Sequence, residues 1–115
     1  MTVRAIFRRQ RGEPIVIARR VLSGDPSGYT VSAVLKKCNG QVVPGPEVAV
    51  AAEFEVEFEP ATGDEPARWS LIVGAEITAG LHPGQYCADA KFELDGEVVE
   101  ITDPCFIIID QSVSG

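Results

Sequence analysis

The run Leu81-His82-Pro83-Gly84-Gln85-Tyr86 constrains this chain more than any other stretch. A leucine, a Pro-Gly turn and a tyrosine opening an alternating segment describe a tyrosine corner, an arch between two β-layers whose phenol hydroxyl bonds back to upstream backbone. Tyr86 then starts a core strand over 85–94. Tyr86, Ala88, Ala90, Phe92 and Leu94 fall on its core side, with Cys87, Asp89, Lys91 and Glu93 opposite. Asp95-Gly96 is the strongest hairpin signal in the chain and returns this strand antiparallel to 97–102.

The same period-two logic extends to both sides. Residues 2–8 alternate loosely, with Val3, Ala5 and Phe7 on one side, and 15–22 is β-branched between turn residues, its apolar start implying burial on both faces. The third strand, 29–37, turns Tyr29, Val31, Ala33 and Leu35 inward, and Asn39-Gly40 offers a tight hairpin after it. Residues 41–52 read as a loop or irregular edge strand. Alternation is cleanest in 53–59, where Phe54, Val56 and Phe58 point to the core and Glu53, Glu55, Glu57 and Glu59 to water. Residues 67–73 place Trp69, Leu71 and Val73 inward, and 76–80 is long enough for one helical turn. The last strand passes Pro104, which removes a backbone donor, so a bulge or change of sheet is expected there. Beyond it, 105–109 is apolar on both faces. Either Phe106 and Ile108 fill the core while Ile107 and Ile109 cover the N-terminal strand, or the segment is a docking edge for another subunit.

At 115 residues, with 45% hydrophobic residues and many glycines and prolines, one all-β domain is expected, with a core that needs neither disulfide nor metal. Charge is polarised along the chain. Residues 1–37 hold eight of the ten basic side chains against Glu13 and Asp25, a segment charge of +6. Residues 38–115 hold Arg68 and Lys91 against fifteen acids, −13. Two readings follow: oppositely charged strands lie side by side and pair within the sandwich, or the Arg8, Arg9, Arg11 cluster of one subunit meets an acidic face such as Glu53–Glu59 of the next. A net charge of −7 argues against a nucleic-acid partner.

Catalytic patterns are sparse. His82 is the single histidine and lies in the Pro-Gly corner, which leaves neither a His-based metal cluster nor a Ser-His-Asp or Cys-His arrangement. There is no Gly-rich phosphate cradle between a strand and a helix. A ladder of glutamates on one flat strand does not converge on a calcium ion, so those carboxylates read as a solvated face that also guards an edge. Cys38, Cys87 and Cys105 have no zinc-like spacing and read as reduced structural thiols in preference to one disulfide and a spare. No stretch approaches the roughly 18 apolar residues of a membrane span, and no secretion signal is recognisable, so synthesis in the cytoplasm with no membrane partner is expected. Neither cofactor nor metal is expected, and the chain is not expected to be an enzyme.

Trp69 on a core-facing strand, together with the Leu81, Pro83, Gly84 and Tyr86 corner, resembles an immunoglobulin-like or fibronectin III-like antiparallel β-sandwich of about seven strands. The Cys-Trp-Cys spacing of antibody domains is missing. A likeness over residues 11–113 rests on a Gly-Glu-x-Ile opening, Trp69-x-Leu71, Ile77-Thr78-Ala79-Gly80-Leu81-His82-Pro83-Gly84-Gln85-Tyr86-Cys87-Ala88-Asp89, the Asp-Gly hairpin and Phe106-Ile107-Ile108. This order is similar to small Ig-like modules of tailed-phage particles, such as the N-terminal domain family of phage baseplate upper proteins. The resemblance implies a non-catalytic structural or adaptor part of a phage or prophage particle (tail, baseplate or head-tail region), made in the bacterial cytoplasm and built into the virion. It would work through other phage structural proteins and copies of itself. A carbohydrate- or cell-surface-binding adhesion module is the alternative, and it requires exposed aromatics.

Overall fold

A computed structural model of the chain describes residues 6–20, 28–40, 42–102, 104–111 and 113. Among these residues nine strands and one helical turn follow in order: β1 (Ile6–Gln10), β2 (Ile15–Arg20), β3 (Tyr29–Lys37), β4 (Val50–Glu53), β5 (Glu55–Glu59), β6 (Arg68–Val73), α1 (Ala75–Ala79), β7 (Gly84–Leu94), β8 (Glu97–Ile101) and β9 (Cys105–Asp110). They form a two-layer immunoglobulin-like sandwich. The larger sheet runs β1-β9-β7-β3-β4 with β8 also on β7, and the smaller runs β2-β6-β5. In the immunoglobulin plan β2, β6 and β5 stand where B, E and D lie, and β3, β7 and β9 where C, F and G lie, with β4 in the place of C′. Val3, Ala5, Val21 and Leu22, expected in the first two strands, lie outside the described residues.

The corner forms as anticipated. Leu81 is buried, Tyr86 is 2% exposed, and its hydroxyl donates to the His82 carbonyl at 2.6 Å. Burial pushes the Tyr86 phenol pKa up, since the charged form would lose water without gaining a counter-charge. Pro83 lies exposed in the arch, and Gly84, at φ +152, occupies backbone that a side chain rarely adopts. The corner delivers β7 between β3 and the β8/β9 edge, the centre of the larger sheet.

Four expectations are corrected. The acidic strand is not continuous: at Phe54, whose N–H donates to Ala33 O at 3.0 Å, the chain leaves β4 in the larger sheet and enters β5 in the smaller one. Glu53 therefore sits on one sheet and Glu55, Glu57 and Glu59 on the other, while Phe58 is 40% exposed. Second, Ile107 and Ile109 are the core residues of β9, at 0% and 1% exposure, and so cannot form a docking edge in this fold. The opposite side of β9 holds Phe106, packed with Cys38 and Cys87 in a separate small cluster, and half-buried Ile108. Third, β1 pairs parallel to β9, Ile6 opposite Phe106 through Gln10 opposite Asp110, whereas the other pairings are antiparallel. Fourth, Val16 is exposed beside buried Ile15, so β2 is covered on one face only, and Asn39-Gly40 begins a long connection to β4 instead of a tight hairpin.

Pro104 interrupts pairing without a change of sheet. β9 and β8 both pair with β7, and between Ala88–Cys105 and Lys91–Ile101 the outer chain advances one residue more than β7. Thr102 bridges this bulge: its N–H donates to Ala90 O, and its hydroxyl accepts from Ala90 N–H, each at 2.9 Å. No disulfide joins the three cysteines, and burial raises the pKa of Cys38 and Cys105.

Candidate functional site

Strand β8 is the least covered element of the sandwich. Asp95 (φ 53) and Gly96 (φ 83) both take left-handed backbone, which closes the two-residue turn from β7 with the twist of the paired strands. All five β8 residues are exposed, and among the described residues β7 is the strand's sole ladder partner. Val98 opposite Glu93 and Ile101 opposite Lys91 share the outer side of the sheet, while Val99 occupies the register shift between them. Each of these three aliphatics is more than half exposed. A strand paired on one side only, with apolar side chains exposed, is a template for strand addition by another chain. The signal in the sequence is the lack of alternation in Glu-Val-Val-Glu-Ile, which buries neither face cleanly.

Charge polarity along the chain resolves in part into pairs across strands: among the described residues Arg8 and Arg19 of the basic segment each meet an acid of the other segment. Arg8 on β1 reaches Asp110 on β9 through both carboxylate oxygens, at 3.2 and 3.3 Å. Arg11 donates to the Ala79 carbonyl at 2.7 Å and to Gln111 Oε1 at 3.3 Å, and Arg9 donates to the Arg8 carbonyl at 2.7 Å. The expected arginine docking cluster is thus engaged within its own chain. Arg19 on β2 crosses to Glu100 on β8, and its guanidinium carbon stands 4.7 Å from the Phe92 ring centre. This cation tethers the open strand to the smaller sheet.

The acidic row on β5 is in register with β6: Glu55 with Ile72, Glu57 with Ser70, Glu59 with Arg68. Glu59 pairs with Arg68 and accepts from the Ser70 hydroxyl at 3.2 Å; the Arg68 hydrogen bond, then that of Ser70, holds its carboxyl below the ordinary glutamate range. Glu55 and Glu57 make no ion pair among the described residues and face water along the sheet edge. Among the described residues no group of three His, Cys, Asp or Glu side chains is placed to hold a metal ion.

An aromatic series occupies the end of the sandwich nearest the β7–β8 turn. Phe58 lies 4.8 Å from Trp69, and Trp69 lies 6.3 Å from Phe92 in edge contact, so Trp69 links β6 to β7 across the layers. The larger sheet leaves Phe58 partly open.

No family model matches the chain, and no curated protein matches it. Its fold is similar to solved structures. One is the natural killer cell receptor NKp44, described as a triggering partner in natural cytotoxicity, at 10% identity and TM-score 0.48, covering 95% of this chain and all of that one. The sialic acid binding region of the Streptococcus sanguinis SK1 adhesin is similar at 18% identity and TM-score 0.44, this chain spanning 30% of that one. The first immunoglobulin domain of RIG-5, a homodimer, is similar at 16% identity and TM-score 0.38, with 96% and 90% covered. At these identities and TM-scores the likeness extends to no site or partner.

Proposed function

We propose that this chain is a non-catalytic assembly module that binds protein through the outer apolar side of β8, as a structural or adaptor part of a tailed-phage or prophage particle. The observation that carries the protein-binding reading is the three exposed aliphatics on a strand whose sole ladder partner among the described residues is β7. The particle assignment rests on the resemblance of residues 11–113 to Ig-like phage modules. Light scattering on the purified chain at low and high salt tests self-association, with a Val98→Lys/Ile101→Lys variant as control. Association lost in the variant at an unchanged melting temperature supports β8 docking; association unaffected by the two lysines refutes it. Mass spectrometry of purified particles from the producing strain tests the second part, and absence of the chain from particles made by that strain's own phage removes it.

Phe58 favours a second reading, binding of a carbohydrate on a cell surface, because a half-open ring backed by Trp69 suits stacking against a sugar. Glycan-array binding abolished by Phe58→Ala supports it, and a blank array sets it aside.

A further inference from the structure

The tyrosine corner also fixes which residues stand where antibody domains keep their disulfide and tryptophan. In that plan the second cysteine follows the corner tyrosine by two positions, and a buried Trp on strand C packs against the disulfide. Here the position two after Tyr86 is Ala88, and the core-facing residues of β3 near it are Ala33 and Leu35. Ala88 thus stands in place of a disulfide cysteine, and Ala33 and Leu35 are both smaller than an indole.

The space they leave is open. A pocket of about 220 Å³ lies between the sheets, walled by Phe7, Ile17, Ala33, Leu71, Ala88 and Ala90, with Arg19, Thr102 and Cys105 at its margins. Its exposed lining is overwhelmingly apolar, so water gains few hydrogen bonds inside. An apolar cavity of roughly 150 Å³ is already enough to admit benzene. The charge at the margin is taken: Arg19 is paired with Glu100 and stacked on Phe92. Asp89, the acid of the lining, alternates to the outer side of β7 relative to Ala88 and Ala90. Among the described residues an anionic ligand would therefore meet no cation that is not already paired.

We infer that this inter-sheet pocket is a binding site for a small uncharged aromatic molecule of benzene-to-indole size. The site is separate from β8 and does not depend on the proposed assembly role. Cys105 reports on it, since its thiol lines the pocket whereas Cys38 and Cys87 lie buried in the cluster with Phe106.

The test titrates indole into the wild-type chain and reads three signals: the melting temperature, the methyl resonances of Ala33, Ala88 and Ala90, and alkylation of Cys105 followed by peptide mass spectrometry. Expected are a rise in melting temperature, saturable shifts at those methyls, and Cys105 alkylation slowed about elevenfold at ten times Kd. An Ala33→Val/Ala88→Val variant fills the space and loses all three responses. No methyl shift in the wild type overturns the inference, as does an equal response in the filled variant. If that variant fails to fold, the wild-type methyl map alone decides: shifts confined to residues outside the pocket overturn it.

Discussion

Replacing Tyr86 by Phe removes one oxygen and keeps the ring, which isolates the corner hydrogen bond. The phenol is 2% exposed and donates to the His82 carbonyl at 2.6 Å. His82 is exposed in the turn, so water can reach its carbonyl once the phenol is gone, and the loss is that of one net hydrogen bond, about 1 kcal/mol. For a chain of this length that lowers the melting temperature by roughly 3–6 °C. Calorimetry and urea unfolding read the change, with the denaturant slope unaltered. The pH dependence gives a second check. Burial raises the Tyr86 pKa in the folded chain, so this contribution is complete below the ordinary phenol value of about 10 and is lost as pH climbs through the folded value. The gap between wild type and variant is therefore constant up to about pH 9 and narrows as pH rises above about 10. An unchanged melting temperature, or a gap that stays constant above that value as well, would refute the tyrosine-corner account.

Ile109→Ala is expected to cost about 2–5 kcal/mol, because the side chain is buried between the layers; a loss of self-association at unchanged stability would instead restore its role as a docking residue. Gly96→Ala should destabilise by about 1 kcal/mol through its left-handed backbone alone, since nothing lies within 4 Å of the added Cβ, and urea midpoints measure it. Arg68→Ala should let the Glu59 carboxyl rise toward the ordinary glutamate value in an NMR titration. Because the folded pKa of Glu59 is lowered, its stabilisation is present above that ordinary value and disappears as pH falls through the folded one, so wild type and variant converge in acid. A Glu59 titration unmoved by the variant would break this pairing.

Much of the architecture was legible locally. Tyr86 and the alternation after it identified a core strand, Asp95-Gly96 a two-residue hairpin, and Pro104 a bulge or change of sheet, because each depends on backbone and side-chain preferences within a few residues. The surfaces were less legible. Arg8, Arg9 and Arg11 looked available in sequence, yet Asp110, Ala79, Gln111 and the Arg8 carbonyl itself take up their donors, and three of those four partners lie far along the chain. The exposure of β8 and the emptiness beside Ala88 had no local signature beyond a failed alternation and two small residues.

The amino-acid order alone placed β3, β6 and β7 with the parity each carries and the Asp95-Gly96 turn, since side-chain alternation and turn geometry are short-range. It did not settle which parity of β9 faces inward, since Phe106 and Ile107 are equally apolar; contact with β7 and β1 chose Ile107 and Ile109. Nor did it reveal that the glutamate row divides at Phe54, because a period of two is the same whichever sheet a strand joins. Layer assignment, the parallel β1–β9 pairing and the pocket between the sheets arise only when distant segments compete for the same buried space.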